Sequence, residues 1–372
     1  MDKSRKSLRF WLITGITLAV LLSAIGFATT RYLAQSQLEH YAQRFLLLSS
    51  LRKEALESYF DTVKAEITFW SLNENLLTKQ AEVNRYRQAY QTTADQQAAS
   101  IDYEISMSAL QADLDVLARL FVSERGYYDF FLISEQGDVF YTVKKEADLG
   151  TNLNAGPWRQ TALADVFRRA MAASQSGGVV FSDFEPYGPS NGVPAMFTAK
   201  AMVDAEGQVL GILALQLPTE RIKSIMQFTA GMGESGETYL VGEDHLMRSD
   251  SRFADDSTIL KVKVDTASVN RALEGESGTL FTPDYRGVTV LSAYTATEID
   301  GFRWAVMAEI DRDEVLQTLS GKRPVIAGLM FFLYSLALWS FWYIRAGDGA
   351  GSEVFAGMAA DSDYSDMAGM DS

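Results

Sequence analysis

The sequence predicts an α+β protein: two repeated modules with antiparallel sheets, carried on a long N-terminal helix and flanked by two transmembrane helices. Three observations lead there. Two apolar runs without a charged residue, Phe10–Thr30 and Pro324–Ile344, stand near the two ends. Residues 32–90 contain no proline or glycine and step their apolar positions by three and four, which is a helical period. From Gly126 onward, short apolar runs bounded by Gly, Pro, Asn and Asp follow one order twice, the mark of an internal repeat of strands and turns.

The first run is preceded by Lys3, Arg5, Lys6 and Arg9. A bilayer takes about 20 apolar residues to cross as a helix. The basic flank places the amino end in the cytoplasm. The run exceeds a signal-peptide core and no Ala-x-Ala site follows it, so it reads as an anchor. The second run gathers Tyr334, Trp339, Trp342 and Tyr343 toward its carboxyl end, where an interfacial aromatic belt sits. Lys322 and Arg323 are tolerated outside because a long segment is translocated largely regardless of charge. The expected layout is 1–9 inside, 10–30 and 324–344 spanning, 31–323 extracytoplasmic, and 345–372 inside. A bacterial inner membrane suits this layout, with a cysteine-free outer part in the periplasm. The tail sets six acids (Asp348, Glu353, Asp361, Asp363, Asp366, Asp371) against Arg345 and reads as disordered.

Residues 31–125 read as a membrane-proximal helical lead-in. Leu38, Tyr41, Phe45, Leu48, Leu51, Ala55 and Tyr59 form one stripe, expected to pack on the core and in part to form a dimer seam. The polar stretch Thr92–Ser100 reads as a break, and Ile101–Val122 as a second helix with Leu110, Leu114, Leu117 and Phe121 on one face. The membrane-distal module, 126–220, opens over 127–143 with a strand, a turn at Gly137-Asp138 and a second strand, followed by a helix over Thr161–Ala173. After these come Val179–Phe181, a turn cluster at 186–192, and strands Pro194–Val203 and Gln208–Leu217. The membrane-proximal module, 221–318, repeats the plan. It has a helical connector Thr219–Phe228, strands Glu237–Val241 and Leu246–Ser249, a helix at Val269–Leu273, then strands at 278–281, Val288–Tyr294 and Arg303–Ile310.

Composition excludes several chemistries. A net charge of −15 argues against nucleic acid as a partner. Without cysteine, and with only His40 and His245, there is no disulfide, no thiolate or histidine metal site, and no Ser/His pair. Gly231-Met-Gly233-Glu-Ser-Gly236 matches a dinucleotide fingerprint as a string, but a helix precedes it and a strand follows, so it reads as a turn. Asp244, Asp250, Asp255 and Asp256 lack calcium-loop spacing. No metal, cofactor or catalytic constellation is expected, and the chain is not read as an enzyme.

The remaining candidate is a small-molecule pocket in the distal module. Tyr127, Tyr128, Asp129, Tyr141, Lys144, Trp158, Asp183 and Tyr187 combine aromatic walls with sparse charges, as polar-ligand pockets require. The proximal module offers fewer such groups, around Tyr239, Arg248, Asp250 and Tyr285.

Several ordered strings then resemble one family. They are Tyr-Asp-Phe-Phe-Leu-Ile with Gly-Asp-Val-Phe-Tyr-Thr (128–142), Asp-Leu-Gly-Thr-Asn-Leu (148–153), Phe-Ser-Asp-Phe-Glu-Pro-Tyr (181–187), Gly-Glu-Thr-Tyr-Leu-Val-Gly (236–242), Arg-Ser-Asp-Ser-Arg (248–252) and Trp-Ala-Val-Met-Ala-Glu-Ile-Asp (304–311). Together they look like the double Cache sensor domain of bacterial transmembrane receptors, such as chemoreceptors, histidine kinases and nucleotide cyclases, over about residues 30–318. The resemblance implies two PAS-like modules stacked on the long helix, with a ligand in the distal one; the residues expected to hold it are Tyr128, Asp129, Tyr141, Lys144, Trp158, Asp183, Tyr187 and Gln216. The chain departs from the amino-acid-binding subset in three places. Gly156-Pro-Trp158-Arg159 stands for an Arg-x-Trp-Tyr signature, Gln216 for a late acid, and Pro189 for an aspartate after the tyrosine. An amino-acid ligand is therefore disfavoured.

The expected function is an extracytoplasmic small-molecule sensor subunit for transmembrane signalling, in chemotaxis or a related pathway. It is expected to dimerise through the membrane-proximal helix and to act through a signalling partner, because the tail matches no output domain. The rival readings are a binding or scaffold protein without signalling, or a receptor whose output region is lost or separately encoded.

Overall fold

The computed structural model describes residues 2–92, 96–320, 327–340 and 342. The chain divides into two units, one of 1–41 with 313–372 and the other of 42–312.

In the first unit, helix α1 (Asp2–Ser71) begins. It is the one helix among the described residues long and apolar enough to cross a membrane. A shorter apolar helix covers Ala327–Ser340. Its Tyr334 hydroxyl donates to the Ala19 carbonyl at 2.7 Å. The remainder of the expected second span, and the tail 345–372, lie outside the described residues.

In the second unit α1 ends at Ser71, and α2 (Glu74–Thr92) and α3 (Gln96–Arg125) follow. The uninterrupted helix expected to Tyr90 is thus broken at Leu72–Asn73. The Asn73 side chain accepts the Leu76 amide at 3.2 Å, a cap that starts a new helix without glycine or proline. Polar residues from Gln96 on, expected to be part of a break, belong to α3. The buried stripe of α1 is Phe45, Leu56, Phe60, Val63 and Ile67, so Phe45 of the expected stripe lies inside while Leu51 is exposed. Leucine occurs on more than one side of α1, so spacing alone left the stripe's rotation open.

The distal sheet comprises β1 (Asp129–Ser134), β2 (Val139–Thr142), β3 (Val179–Phe181), β4 (Glu185–Tyr187), β5 (Val193–Val203) and β6 (Val209–Leu217). Its order is β2-β1-β6-β5-β3, with β4 pairing on β5, and every pairing is antiparallel. Helix α4 (Ala162–Ala172) covers one face, started by the Thr161 hydroxyl, which accepts the Ala164 amide. After α5 (Thr219–Met226), the proximal sheet has β7 (Glu237–Gly242), β8 (Gly278–Pro283), β9 (Thr289–Ile299) and β10 (Phe302–Asp311), in the order β7-β10-β9-β8. Helix α6 (Ala267–Leu273) is capped by Thr266 as α4 is by Thr161. The path β1-β6-β5-β3 corresponds to β7-β10-β9-β8, so the two sheets repeat one plan. The chain continues from β10 into α7 (Arg312–Ser320).

Two local expectations change. The turn cluster at 186–192 begins inside a strand, because Glu185–Tyr187 pairs with Val193–Ala195. Leu246–Ser249 makes only isolated bridges, Val241 with Met247 and Leu246 with Lys263, rather than a ladder. The string at 231–236 forms turns: Gly231 and Gly233 adopt φ of 82° and 78°, a left-handed backbone that favours glycine.

Period-two alternation gives the distal sheet two apolar faces. Phe130, Leu132, Leu213 and Leu215 pack against Leu56, Phe60 and Val63 of α1 and Leu110, Leu114 and Phe121 of α3. Phe131, Ile133, Phe197, Ala199, Ile212 and Ala214 pack beneath α4 on Leu163, Val166 and Phe167. Helix α2 is tied to β6 where Gln80 and Asn84 both donate to the Leu210 carbonyl, at 3.1 and 2.8 Å.

Candidate ligand-binding site

The face of the distal sheet turned toward α4 carries its polar groups at one end. Asp129 on β1 stands in register with Gln216 on β6, and Gln216 with Phe197 on β5, so alternation places all three on this face. Asp129 is fully buried. Its carboxylate accepts the amides of Phe130, Val143 and Lys144, at 2.7, 2.8 and 3.1 Å, and the Thr142 hydroxyl. Burial pushes this carboxyl up to about 6, against the pull of those hydrogen bonds, and the charge of Asp148 pushes the same way.

Two loops roof this end of the sheet, one after β2 and one running through β4. Tyr187 donates to Asp148 Oδ2 at 2.6 Å, with its ring edge-on to Phe197 at 4.9 Å. Ser190 donates to Glu146 Oε2 at 2.6 Å, and Tyr128 donates to Oε1 of the same carboxylate at 2.9 Å. Trp158 donates its ring N–H to the Ala147 carbonyl at 3.1 Å. Its ring lies so close to Gly188 that a Cβ there would stand 2.5 Å from it, which explains a glycine between Tyr187 and Pro189. Lys144 Nζ lies 4.7 Å from the Tyr128 ring centroid, in cation–π contact.

Two acceptors in this cluster are buried without a donor from the described residues: Asp148 Oδ1 and Gln216 Oε1. Burial raises the Asp148 carboxyl above the usual range. A buried acceptor without a donor costs about 1–3 kcal/mol. The polar end of the face is therefore rich in acceptors and short of donors. That is the complement of an ammonium or amide group.

Of the residues singled out in the sequence, Tyr128, Asp129, Lys144, Trp158, Tyr187 and Gln216 fall on this face or its roof. Tyr127, Tyr141 and Asp183 do not; Tyr127 turns to the helical core and donates to Glu66 of α1 at 2.7 Å. Tyr141 turns to the opposite face and donates to Asp115 of α3 at 2.9 Å. A bulge at Phe140, where the β1–β2 register shifts between Leu132 and Ile133, reverses the alternation there. Asp183 leaves the sheet to receive Arg248 and Trp304 of the proximal module, each at 2.9 Å. Sequence reasoning missed Asp148, Glu146, Ser190 and Thr142 as members of the cluster. Asp148 stands inside the string 148–153 and was within reach; Glu146 and Ser190 look like ordinary surface residues.

A family model described as a Cache domain matches residues 33–319. No curated protein matches the chain. Among solved structures, the chain is similar to the ligand-binding domain of the Pseudomonas aeruginosa PAO1 amino acid chemoreceptor PctC in complex with GABA. The identity is 15% and the TM-score 0.43, over 76% of this chain and 100% of that one. The sensory domain of the Campylobacter jejuni chemoreceptor Tlp3 matches at 12% identity and a TM-score of 0.48, over 77% and 99%. The sensor domain of the V. cholerae histidine kinase DctB matches at 12% and 0.46, over 73% and 97%.

Proposed function

This chain belongs to the Cache domain family, and we propose that it is an extracytoplasmic sensor whose distal module binds a small molecule carrying a cationic amine. The observation that carries the reading is the pair of buried acceptors without a donor among the described residues, Asp148 Oδ1 in the roof and Gln216 Oε1 on the face that also holds Asp129. An ammonium group supplies up to three donors and a positive charge, the chemistry that each of these acceptors lacks. The set supports no obligatory carboxylate on the ligand. Arg159 is exposed and donates to the Gly156 carbonyl at 3.3 Å, and Lys144 sits on Tyr128. An amino acid therefore ranks below an amine.

In this reading the chain crosses the inner membrane twice, with 31–323 outside, and works as a homodimer through α1. Leu47, Leu51, Phe69 and Leu72 are all exposed on α1 and the turn that ends it, which supports an apolar seam there. Ligand binding biases two arrangements of the sensor, and a signalling partner reads the difference; a coupling of about 1–3 kcal/mol is usual for such receptors.

The test is a thermal-shift screen of the purified chain against amines, amino acids, organic acids and purines. A folded-state ligand raises the melting temperature by mass action. Amines are expected to give the hits, and Asp148→Asn to reduce them. Hits confined to organic acids would overturn the reading.

A further inference from the structure

The proximal module holds a second buried polar cluster, on the face of its sheet turned toward α6. Glu237 on β7 and Glu309 on β10 are register partners on adjacent antiparallel strands, and both are buried. Glu309 accepts the Tyr239 hydroxyl at 2.8 Å and the Ser292 hydroxyl, from β9, at 2.6 Å. Glu237 accepts Tyr285 at 2.8 Å and Ser251 at 2.9 Å. Every partner is a neutral hydroxyl, and among the described residues neither glutamate forms an ion pair.

The charged groups around the pair do not neutralise it. The loop after β8 brings buried Asp284, which adds a third negative charge, and Arg286, whose charge offsets Glu237 only in part because it is held by Asp284 at 2.6 Å and Asp311 at 2.8 Å. The loop after β7 brings Asp250, held by Lys223 of α5 at 3.5 Å, and Arg252, bound to the Glu234 carbonyl at 2.7 Å. From α6, Arg271 lies against Tyr294 of β9. Two carboxylates facing each other across a strand pair in a buried setting repel, and neither is solvated.

We propose that Glu237 and Glu309 form a proton-responsive pair through which external acidity biases the proximal module, independently of any ligand in the distal one. One proton taken from solvent by the pair leaves a single negative charge between the strands. The protonated oxygen then donates rather than accepts, so the hydroxyl facing it must turn. Above neutrality the second charge appears and loosens β7 from β10. Burial supports a transition in this range, because it pushes the Glu309 carboxyl up to about 7 and raises Glu237 as well. Strand β10 is the segment whose chain runs on into α7, so its packing is well placed to carry a signal.

The test is amide hydrogen exchange of the full chain, without ligand, between about pH 5.5 and 8.5, corrected for intrinsic exchange, with infrared difference spectra over the same range. Protection of the β7 and β10 amides should fall about tenfold as pH rises through neutrality, and the fall should persist in Asp129→Asn, which removes the separate response of β1 and β6. The carbonyl stretch of a protonated carboxylic acid should disappear over the same interval. Glu309→Gln should flatten the β10 response and remove that band. Glu237→Gln, which removes the like charge, should shift the transition to lower pH and serves if Glu309→Gln does not fold. Unchanged protection in the wild-type chain across the range would overturn the proposal. So would a transition unaltered in either variant.

Discussion

Arg248 of the proximal module meets Asp183 of the distal module through two parallel hydrogen bonds, Nε to Oδ1 and Nη2 to Oδ2, each 2.9 Å long. The indole N–H of Trp304 reaches the same Oδ1 at 2.9 Å, and Phe184 stacks on the Trp304 ring with centroids 5.9 Å apart. Arg248 is only 4% exposed, so Asp183 is its main compensation, with Asp244 and the Leu246 carbonyl beside it. The pair joins the loop that carries Tyr187 to the sheet that carries β10.

Removing this joint should cost stability without touching the ligand face. Breaking a buried ion pair by deleting one partner costs about 3–5 kcal/mol. Asp183→Ala is expected at the lower end, about 3 kcal/mol, because Asp244 still faces Arg248. Denaturant unfolding gives the loss, and calorimetry on the folded variant should show amine affinity within a few-fold of wild type.

Gly188→Ala should weaken the roof of the site. The new methyl meets the Trp158 ring at 2.5 Å, so either the indole leaves Ala147 or the β4 loop lifts. Overpacking of this kind costs about 1–3 kcal/mol. Melting temperature and tryptophan fluorescence report it together, and the ligand-induced shift should shrink as well.

The pH response of the distal site follows from Asp129. Its folded carboxyl sits at about 6, above its ordinary value of 3.8. A raised carboxyl stabilises the fold fully below about pH 4 and loses that contribution as pH rises through about 6, by up to about 3 kcal/mol. The ligand-free chain should therefore lose stability over this window. Amine affinity should rise over the same window, since the carboxylate that repels its neighbours attracts the ammonium. Titrations between about pH 5 and 7.5 measure both, and Asp129→Asn should flatten both.

Asn73→Ala should lower stability by about 1 kcal/mol, as loss of a helix N-cap does. The Asn73 side chain holds the Leu76 amide at the start of α2, and Leu76 is buried in the helical core. Chemical denaturation measures the loss. Asn73→Asp should recover most of it.

Much of this architecture is legible in the sequence because turn chemistry marks it. Gly137, Gly177 and Gly207 fall in turns with positive φ, and the strands between them are apolar runs of the right length. The α1–α2 break carries no glycine or proline, and its one signal, Asn73, is a residue common on any helix surface. The site is legible in part for a similar reason. Tyr187, Trp158, Asp129 and Gln216 stand out as polar or aromatic groups in otherwise apolar strands and tight turns. Which face a strand residue takes depends on alternation, and the bulge at Phe140 sends Tyr141 to α3 instead. Asp183 was out of reach because its partner, Arg248, lies in the other module and no local pattern links them. Asp148 and Glu146 acquire meaning only once the loop that follows β2 folds back over β1.

The central claim is that the distal face binds an amine through Asp148 and Gln216, and calorimetric titration of the full chain tests it most directly. Primary amines and diamines would be titrated beside the corresponding amino acids, into the wild type and Asp148→Asn. The account predicts saturable amine binding that Asp148→Asn weakens at least about tenfold, the loss of a charge-assisted hydrogen bond of roughly 1.5–3 kcal/mol. Equal amine binding by the wild type and Asp148→Asn would contradict it, as would affinity for organic acids alone.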